Sequence, residues 1–351
     1  MKLNYKRTIL VGFAFFLISA FWQAYDATIP VILTNKFGMS QTWSGVIMAL
    51  DNILAVFMLP VFGALSDKCL GNKYGKRTPF ITVGTILAAV ALIGLSFVDN
   101  AQLQNLTDVS AIDEPAALSV VYDRQKDATL QTPEGEEFVL SQEFTKEQFV
   151  AIRTTTDADA YTNYVAPARQ AYAANKTAEN SGPLWCFVLL LLIILVAMAT
   201  FRSPAVALMP DVTIKPLRSK ANAIINLMGT SGGIIYLLLT TFLYKTTSDA
   251  YVSYMPLFII VGGIMLASLA VVMFFVNEPK LVAEQKKYEE AHPEENLTTV
   301  TENGEELPRE VKKSLSFILV SIALWFIAYN GVSTWFSVYA SASWNMSLGQ
   351  A

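Results

Sequence analysis

Two carboxylates stand where hydrocarbon should surround them: Asp26, in an apolar run of about residues 8 to 33, and Asp51, in a second run of about 43 to 66. An ionised carboxylate at such a depth costs on the order of 3 kcal/mol, so each must face inward and pair, take up a proton or bind a cation. Asp26 lies about six residues beyond the middle of its run, and Asp51 three or four residues off the middle of the next, which returns in the opposite direction; at about 1.5 Å per residue their depths agree to within roughly 4 Å. One cavity can hold both, and the chemistry they offer there is coupling to protons or sodium ions. The alternative, stronger for the shallower Asp26, is a water-exposed hydrogen-bonding residue of an outer gate.

The elements that must position them follow from hydropathy. Seven runs are long and apolar enough to cross a bilayer: about 8 to 33, 43 to 66, 79 to 98, 184 to 208, 219 to 244, 255 to 276 and 315 to 341. With 53% apolar and only 15% charged residues, the chain reads as an all-α polytopic membrane protein. The first run is too long for a signal-peptide core and has no convincing cleavage site, so it is kept as the first helix. Short connections on one side carry Lys2, Lys6, Arg7, Lys68, Lys73, Lys76, Arg77, Lys215, Arg218 and Lys220, against Lys36 and Lys245 on the other. That asymmetry puts the amino terminus in the cytoplasm, with the cell (plasma or inner) membrane as the location. The net charge of −4 averages a basic inner face with an acidic insert, and nucleic-acid binding has no support. Cys69 and Cys186 fall on opposite sides, which implies no disulfide framework. The single histidine, His292, sits solvated in a charged linker. The spans hold no His-rich metal cluster and no Ser/His or Cys/His pair, so neither an enzyme nor a cofactor or metal is expected.

Two long connections break the rhythm. Residues 99 to 183 carry 14 acidic and 6 basic side chains and form an extracytoplasmic insert. Ser119 to Tyr122 and Glu137 to Leu140 read as short strands around Thr-Pro-Glu-Gly, and Asp157 to Ala174 as a helix. The insert is either a tolerated elaboration or a lid or partner-binding module. Residues 277 to 314, rich in Glu and Lys with an Asn-Gly turn, read as a flexible or partly helical cytoplasmic linker.

The stretch Gly63-Ala-Leu-Ser-Asp67-Lys-Cys-Leu-Gly-Asn-Lys-Tyr-Gly75-Lys76-Arg77-Thr-Pro79-Phe-Ile is a basic, glycine-punctuated turn between two spans. It resembles the signature between helices 2 and 3 of the major facilitator superfamily, and in spacing and ending the sucrose/proton symporters and the glycoside-pentoside-hexuronide:cation symporters. The block from Ser203 to Asn222, with Pro204, Pro210, Asp211 and Arg218, is similar to the helix 4 to 5 connection of the latter family. The resemblance implies a two-halved sugar or glycoside transporter driven by proton or cation entry through alternating access. Residues 1 to 276 would form its amino-terminal six-helix bundle, 277 to 314 the linker, and 315 to 351 the first helix of a second bundle. Gly38-Met39-Ser40 after the first span and Asn345-Met346-Ser347 after the seventh mark a weak repeat, each Ser capping the helix that follows. Since the chain stops at Ala351, where an eighth helix would begin, the reading is of a truncated twelve-helix transporter, with a natural seven-helix protein as the alternative. The glycoside-pentoside-hexuronide family carries an Asp-x-x-x-Asp pair in helix 2, where this chain has Ala55 and Leu59. That departure favours proton over sodium coupling.

Sugar recognition wants aromatic faces for the apolar side of a pyranose and amides or carboxylates for its hydroxyls. The candidates are Trp22, Gln23, Asn52, Asn222, Asn226, Trp325, Tyr329 and Asn330. Asn222, Asn226, Gly229 and Gly233 fall at i, i+4, i+7 and i+11, one helical stripe that serves either close packing or a central cavity. Gly63, Asp67, Gly75, Lys76, Arg77, Asp211 and Arg218 are assigned to cytoplasmic gating, with charge pairs holding one bundle against the other. Arg202 either snorkels to the inner interface or offers a fixed positive charge to a gate carboxylate. A transporter-like receptor or scaffold that binds through the insert is the other function the sequence allows.

Overall fold

The computed structural model describes residues 3–111, 113–154, 156–244, 251–292, 308–344 and 346. Lys2, Lys245, the Asn-Gly turn at 303–304, Asn345 and the Ser347 cap lie outside the described residues. Among the described residues, seven helices are long and apolar enough to cross a membrane. α1 is Tyr5–Val31, extended by a π-helical turn at Ile32–Lys36; α2 is Gln41–Lys68 and α3 is Thr78–Asn105. Each starts or ends where the residues dictate. Ser40 caps α2 by accepting from the Trp43 N–H at 3.4 Å, and Gly38, at φ 65°, turns the chain between α1 and α2.

The insert follows. A 3₁₀ turn at Thr107–Val109 leads to α4 (Pro115–Gln125), the antiparallel hairpin β1 (Thr129–Gln131) and β2 (Glu137–Val139), and the short helices α5 (Leu140–Glu143), α6 (Lys146–Ala151) and α7 (Ala158–Ala160). A π-turn at Tyr161–Val165 joins α7 to α8 (Ala166–Glu179). The strand expected at Ser119–Tyr122 is a correction: those residues are helical, because Ala117, Leu118, Val121, Tyr122 and Gln125 repeat at helical spacing and bury one face. The strand that pairs across the Thr-Pro-Glu-Gly turn is Thr129–Gln131 instead, and Leu140 belongs to a helix. The helix expected from Asp157 to Ala174 is present and continues to Glu179.

The chain re-enters through α9 (Gly182–Val212), a 3₁₀ turn at Lys215–Leu217 and α10 (Arg218–Leu243), then α11 (Met255–Phe275), α12 (Glu278–Ala291) and α13 (Arg309–Trp344). α1 packs against α10 and α11, α3 against α9 and α11, and α2 against α9. Gly232 allows the α1–α10 contact: a Cβ there would lie 2.4 Å from the Phe16 carbonyl oxygen. Gly229 abuts Ser19, and Gly233 comes near Gln23, so the expected small-residue stripe is a packing face with Gly232 added to it. The insert keeps its own apolar core, with Leu118, Val121, Phe149, Val165 and Tyr172 buried together. It is fastened to the bundle where Gln170 Nε2 donates to the Met39 carbonyl at 3.0 Å and Gln102 Nε2 to Thr177 Oγ1 at 3.0 Å.

Candidate functional site

The first polar cluster forms around Trp22 on α1. Arg202, half-buried on α9, places its guanidinium carbon 5.2 Å from the centre of the Trp22 ring, a cation–π distance. Its charge acts on both Asp51 and Asp26, and the charge of Asp51 acts on Asp26. The two acids and one base thus share one field within the bundle. With both acids ionised the trio carries one net negative charge, and one proton or monovalent cation brings it to zero. Arg202 lies with this group rather than with the charges at the linker end of the bundle. Two further polar atoms here, Trp22 Nε1 and Tyr25 Oη, are buried and have no hydrogen-bond partner among the described residues. Asn52 Nδ2 donates to Asp51 Oδ1 at 2.8 Å, which occupies that amide in orienting the carboxylate.

Asp26 also borders a cleft of about 470 Å³ between α1, α10 and α13, lined by Gln23, Tyr236, Tyr329, Ser333 and Ser337 among others. Tyr236 shares a hydrogen bond of 2.9 Å with Thr28, which leaves its ring as the cleft wall. Tyr329 stacks on Trp325, with ring centres 5.6 Å apart and planes at 17°. The structure therefore brings Gln23, Asp26 and Tyr329 to one opening, and Trp22, Asp51 and Arg202 beside it. Asn222, Asn226, Trp325 and Asn330 are exposed and do not line the cleft, although Trp325 backs Tyr329 there.

The second cluster lies where α2 ends and α3 begins. Arg77 donates to Asp67 at 2.5 Å, to Asp211 at 2.8 Å and to Ser66 at 2.5 Å. Burial works against its charge, but the hydrogen bonds of Asp211 and Asp67 outweigh burial and push its pKa up, so it stays cationic. All three charged groups belong to the first six helices. The pairs tie α2, α3 and α9 together. Arg218 is not in this network. Its guanidinium donates to the carbonyls of Pro210 at 2.8 Å and Thr213 at 3.1 Å, capping the end of α9. The Lys76 side chain is exposed and makes no ion pair among the described residues. Gly63 lets α2 approach α9, since a Cβ there would lie 2.8 Å from Ser203 Oγ.

Sequence reasoning missed Glu278 and the Lys36–Asp99 pair. Glu278, 2% exposed, accepts from the backbone N–H groups of Lys76, Arg77 and Thr78. Asn277-Glu278-Pro279 does signal a helix start, with Asn277 accepting from the Lys280 N–H at 3.1 Å, but nothing local announces a partner so far back in the chain. Lys36 and Asp99 meet at 2.6 Å, both fully buried, with the Lys36 ammonium 4.2 Å from the centre of the Tyr254 ring.

A model of the Major Facilitator Superfamily matches residues 4–112 and 171–351, passing over most of the insert. The sucrose transport protein SUC3 of Arabidopsis thaliana is 38% identical over 68 residues, which are 19% of this chain and 11% of that protein. The sucrose transport protein SUC4 of the same plant is 27% identical over 73 residues, 21% of this chain and 14% of that protein. The matched stretches thus span a small fraction of either relative's length. No solved structure matches the chain.

Proposed function

The chain belongs to the Major Facilitator Superfamily, and from that membership we propose that this multi-pass membrane protein is a secondary active transporter that imports a sugar or glycoside together with a proton. The observation that carries the reading is the trio of Asp26, Asp51 and Arg202 around Trp22, beside an aromatic cleft holding Gln23 and Tyr329. A carbohydrate offers hydroxyls to Gln23 and Asp26 and an apolar ring face to Tyr329. A proton brings the net charge of Asp26, Asp51 and Arg202 from −1 to zero. The two stretches shared with sucrose transport proteins support the sugar, and Ala55 and Leu59 in α2 support the proton. In this reading residues 1–276 are the amino-terminal bundle, 277–314 a cytoplasmic linker and 315–351 the first helix of a second bundle. The amino terminus is cytoplasmic and the insert extracytoplasmic. Asp67, Arg77 and Asp211 shape the inner surface on which the second bundle closes.

Asp51 carries the decisive test. Asp51→Asn replaces a carboxylic acid by a near-isosteric amide that cannot release a proton. The loaded carrier still reorients, while the empty carrier, which must shed its proton inside, stalls. In proteoliposomes, counterflow of labelled sucrose is expected to survive, uptake against a gradient to disappear and the pH dependence to flatten. Concentrative uptake with unchanged pH dependence would make Asp51 a structural residue and pass the same test to Asp26.

A further inference from the structure

We propose that the insert is a brace for α1: through α8 it locks the insert-side end of that helix, the segment directly beyond Asp26, to the connection between α10 and α11. The segment is poorly suited to hold itself. Pro30 stands inside α1 and has no N–H, so the carbonyl of Asp26, four residues back, lacks its helical donor. The residues that follow, Ile32–Lys36, wind into a π-helical turn, a geometry found mostly as single-turn bulges. Thr34 gives local support, its hydroxyl donating to the Pro30 carbonyl at 2.9 Å.

Further support comes from outside α1 and falls on neighbouring backbone positions. The Lys36 carbonyl accepts from Gln102 Nε2 at 2.8 Å, and the same amide donates to Thr177 Oγ1 on α8 at 3.0 Å. Gly38 runs so close to α8 that a Cβ there would come within 2.2 Å of the Ala174 backbone nitrogen. Gln170, also on α8, donates to the Met39 carbonyl at 3.0 Å. Its neighbour Arg169 reaches the other way, to the carbonyls of Val109 and Ala111 and to the ring of Tyr251, 5.2 Å off. Tyr251 lies between α10 and α11 and is buried in the core of the insert. α8 therefore spans from the α1–α2 turn to the α10–α11 connection. Its seat is dry: Lys36, Gln102, Arg169 and Thr177 are each 6% exposed or less. Polar groups buried to that extent are costly unless hydrogen-bonded, so their partners specify the seat. A merely tolerated elaboration would hang from the bundle by solvated connections.

The test is hydrogen exchange of the reconstituted full chain, followed by mass spectrometry on peptides covering residues 32–40, and it needs no substrate. The Phe37 and Met39 amides donate to the carbonyls of Ile32 and Leu33, so their exchange reports opening of the turn. Gln170→Ala removes one clasp and is expected to speed that exchange about two- to tenfold, the factor that one net hydrogen bond makes. Tyr251→Leu changes a residue outside α1 and the turn after it, yet it loosens the far seat of α8 and is expected to speed the same peptides. Tyr251→Phe, which keeps the ring against Arg169, is expected to recover most of the protection. Peptides from α9 are the control, and equal acceleration there would mean a general loosening of the bundle and overturn the brace. Wild-type exchange at 32–40 in Tyr251→Leu, with the insert's own peptides accelerated, overturns it as well and leaves the insert a passive elaboration. If Tyr251→Leu does not accumulate, Gln170→Ala decides alone: wild-type exchange at 32–40 refutes the brace.

Discussion

Neutralising Lys36 alone would strand the Asp99 carboxylate, fully buried, with one partner left among the described residues, the Tyr254 N–H at 3.0 Å from Oδ2. Breaking a buried pair from one side costs about 3–5 kcal/mol, whereas replacing both charges removes most of the desolvation problem. Lys36→Met is therefore expected to lower the midpoint of thermal unfolding in detergent strongly, and Lys36→Met/Asp99→Asn to recover part of the loss. A double variant that loses the sum of the two single losses would show that the charges do not act as a pair. The residue also shows where sequence reading stops. The Lys36–Asp99 pair is not legible in the sequence, since the partners lie 63 residues apart and no periodicity links them. Asp26 and Asp51 were legible for the opposite reason: an acid inside an apolar run is conspicuous by itself.

At the scale of elements, the membrane helices were readable because about 20 apolar residues in a row have few alternatives. The insert was harder. Its strands are three residues long and its helices short, so hydropathy windows barely resolve them, and Ser119–Tyr122 has strand-like composition on a helical frame. What holds this module is buried Arg169, which donates to the Val109 carbonyl and, at 3.1 Å, to that of Ala111, and lies 5.2 Å from the Tyr251 ring. Burial pushes the phenol pKa of both Tyr161 and Tyr251 up, against the opposing pull of Arg169. The sign follows from linkage: each phenol must ionise above about pH 10 when unfolded but resists doing so in the fold, so their contribution is intact below that pH and lost above it. Alkaline titration followed at the phenolate absorbance should include a late step from Tyr161 and Tyr251 that appears only as the insert unfolds. Tyr161→Phe should move that transition to higher pH; an unmoved transition would mean that Tyr161 does not govern it.

For the whole molecule, the orientation proposed from charge asymmetry has a direct check. Cys69, half-buried just past the end of α2, should react with impermeant thiol reagents only from the cytoplasmic side, and a protease site placed near Pro133 should be cut only from outside. Cleavage near Pro133 from the cytoplasm would invert the molecule. Both faces of the bundle are closed by pairs that lie far apart in sequence, and this has a consequence for biogenesis. On the insert side, Lys36 meets Asp99 first, and Tyr254 joins 155 residues after Asp99. On the linker side, Arg77 waits 134 residues for Asp211, the start of α3 waits 200 for Glu278, and Arg7 waits 277 for Glu284. At about 5–20 residues per second of synthesis, that last interval lasts roughly 15 to 55 seconds. During that time Lys36 already has Asp99 and Arg77 already has Asp67, but the Arg7 guanidinium and the N–H groups that open α3 still lack their partners. Water and lipid headgroups must serve these groups until the stretch from Tyr254 to Glu284 leaves the ribosome and closes the two faces almost together.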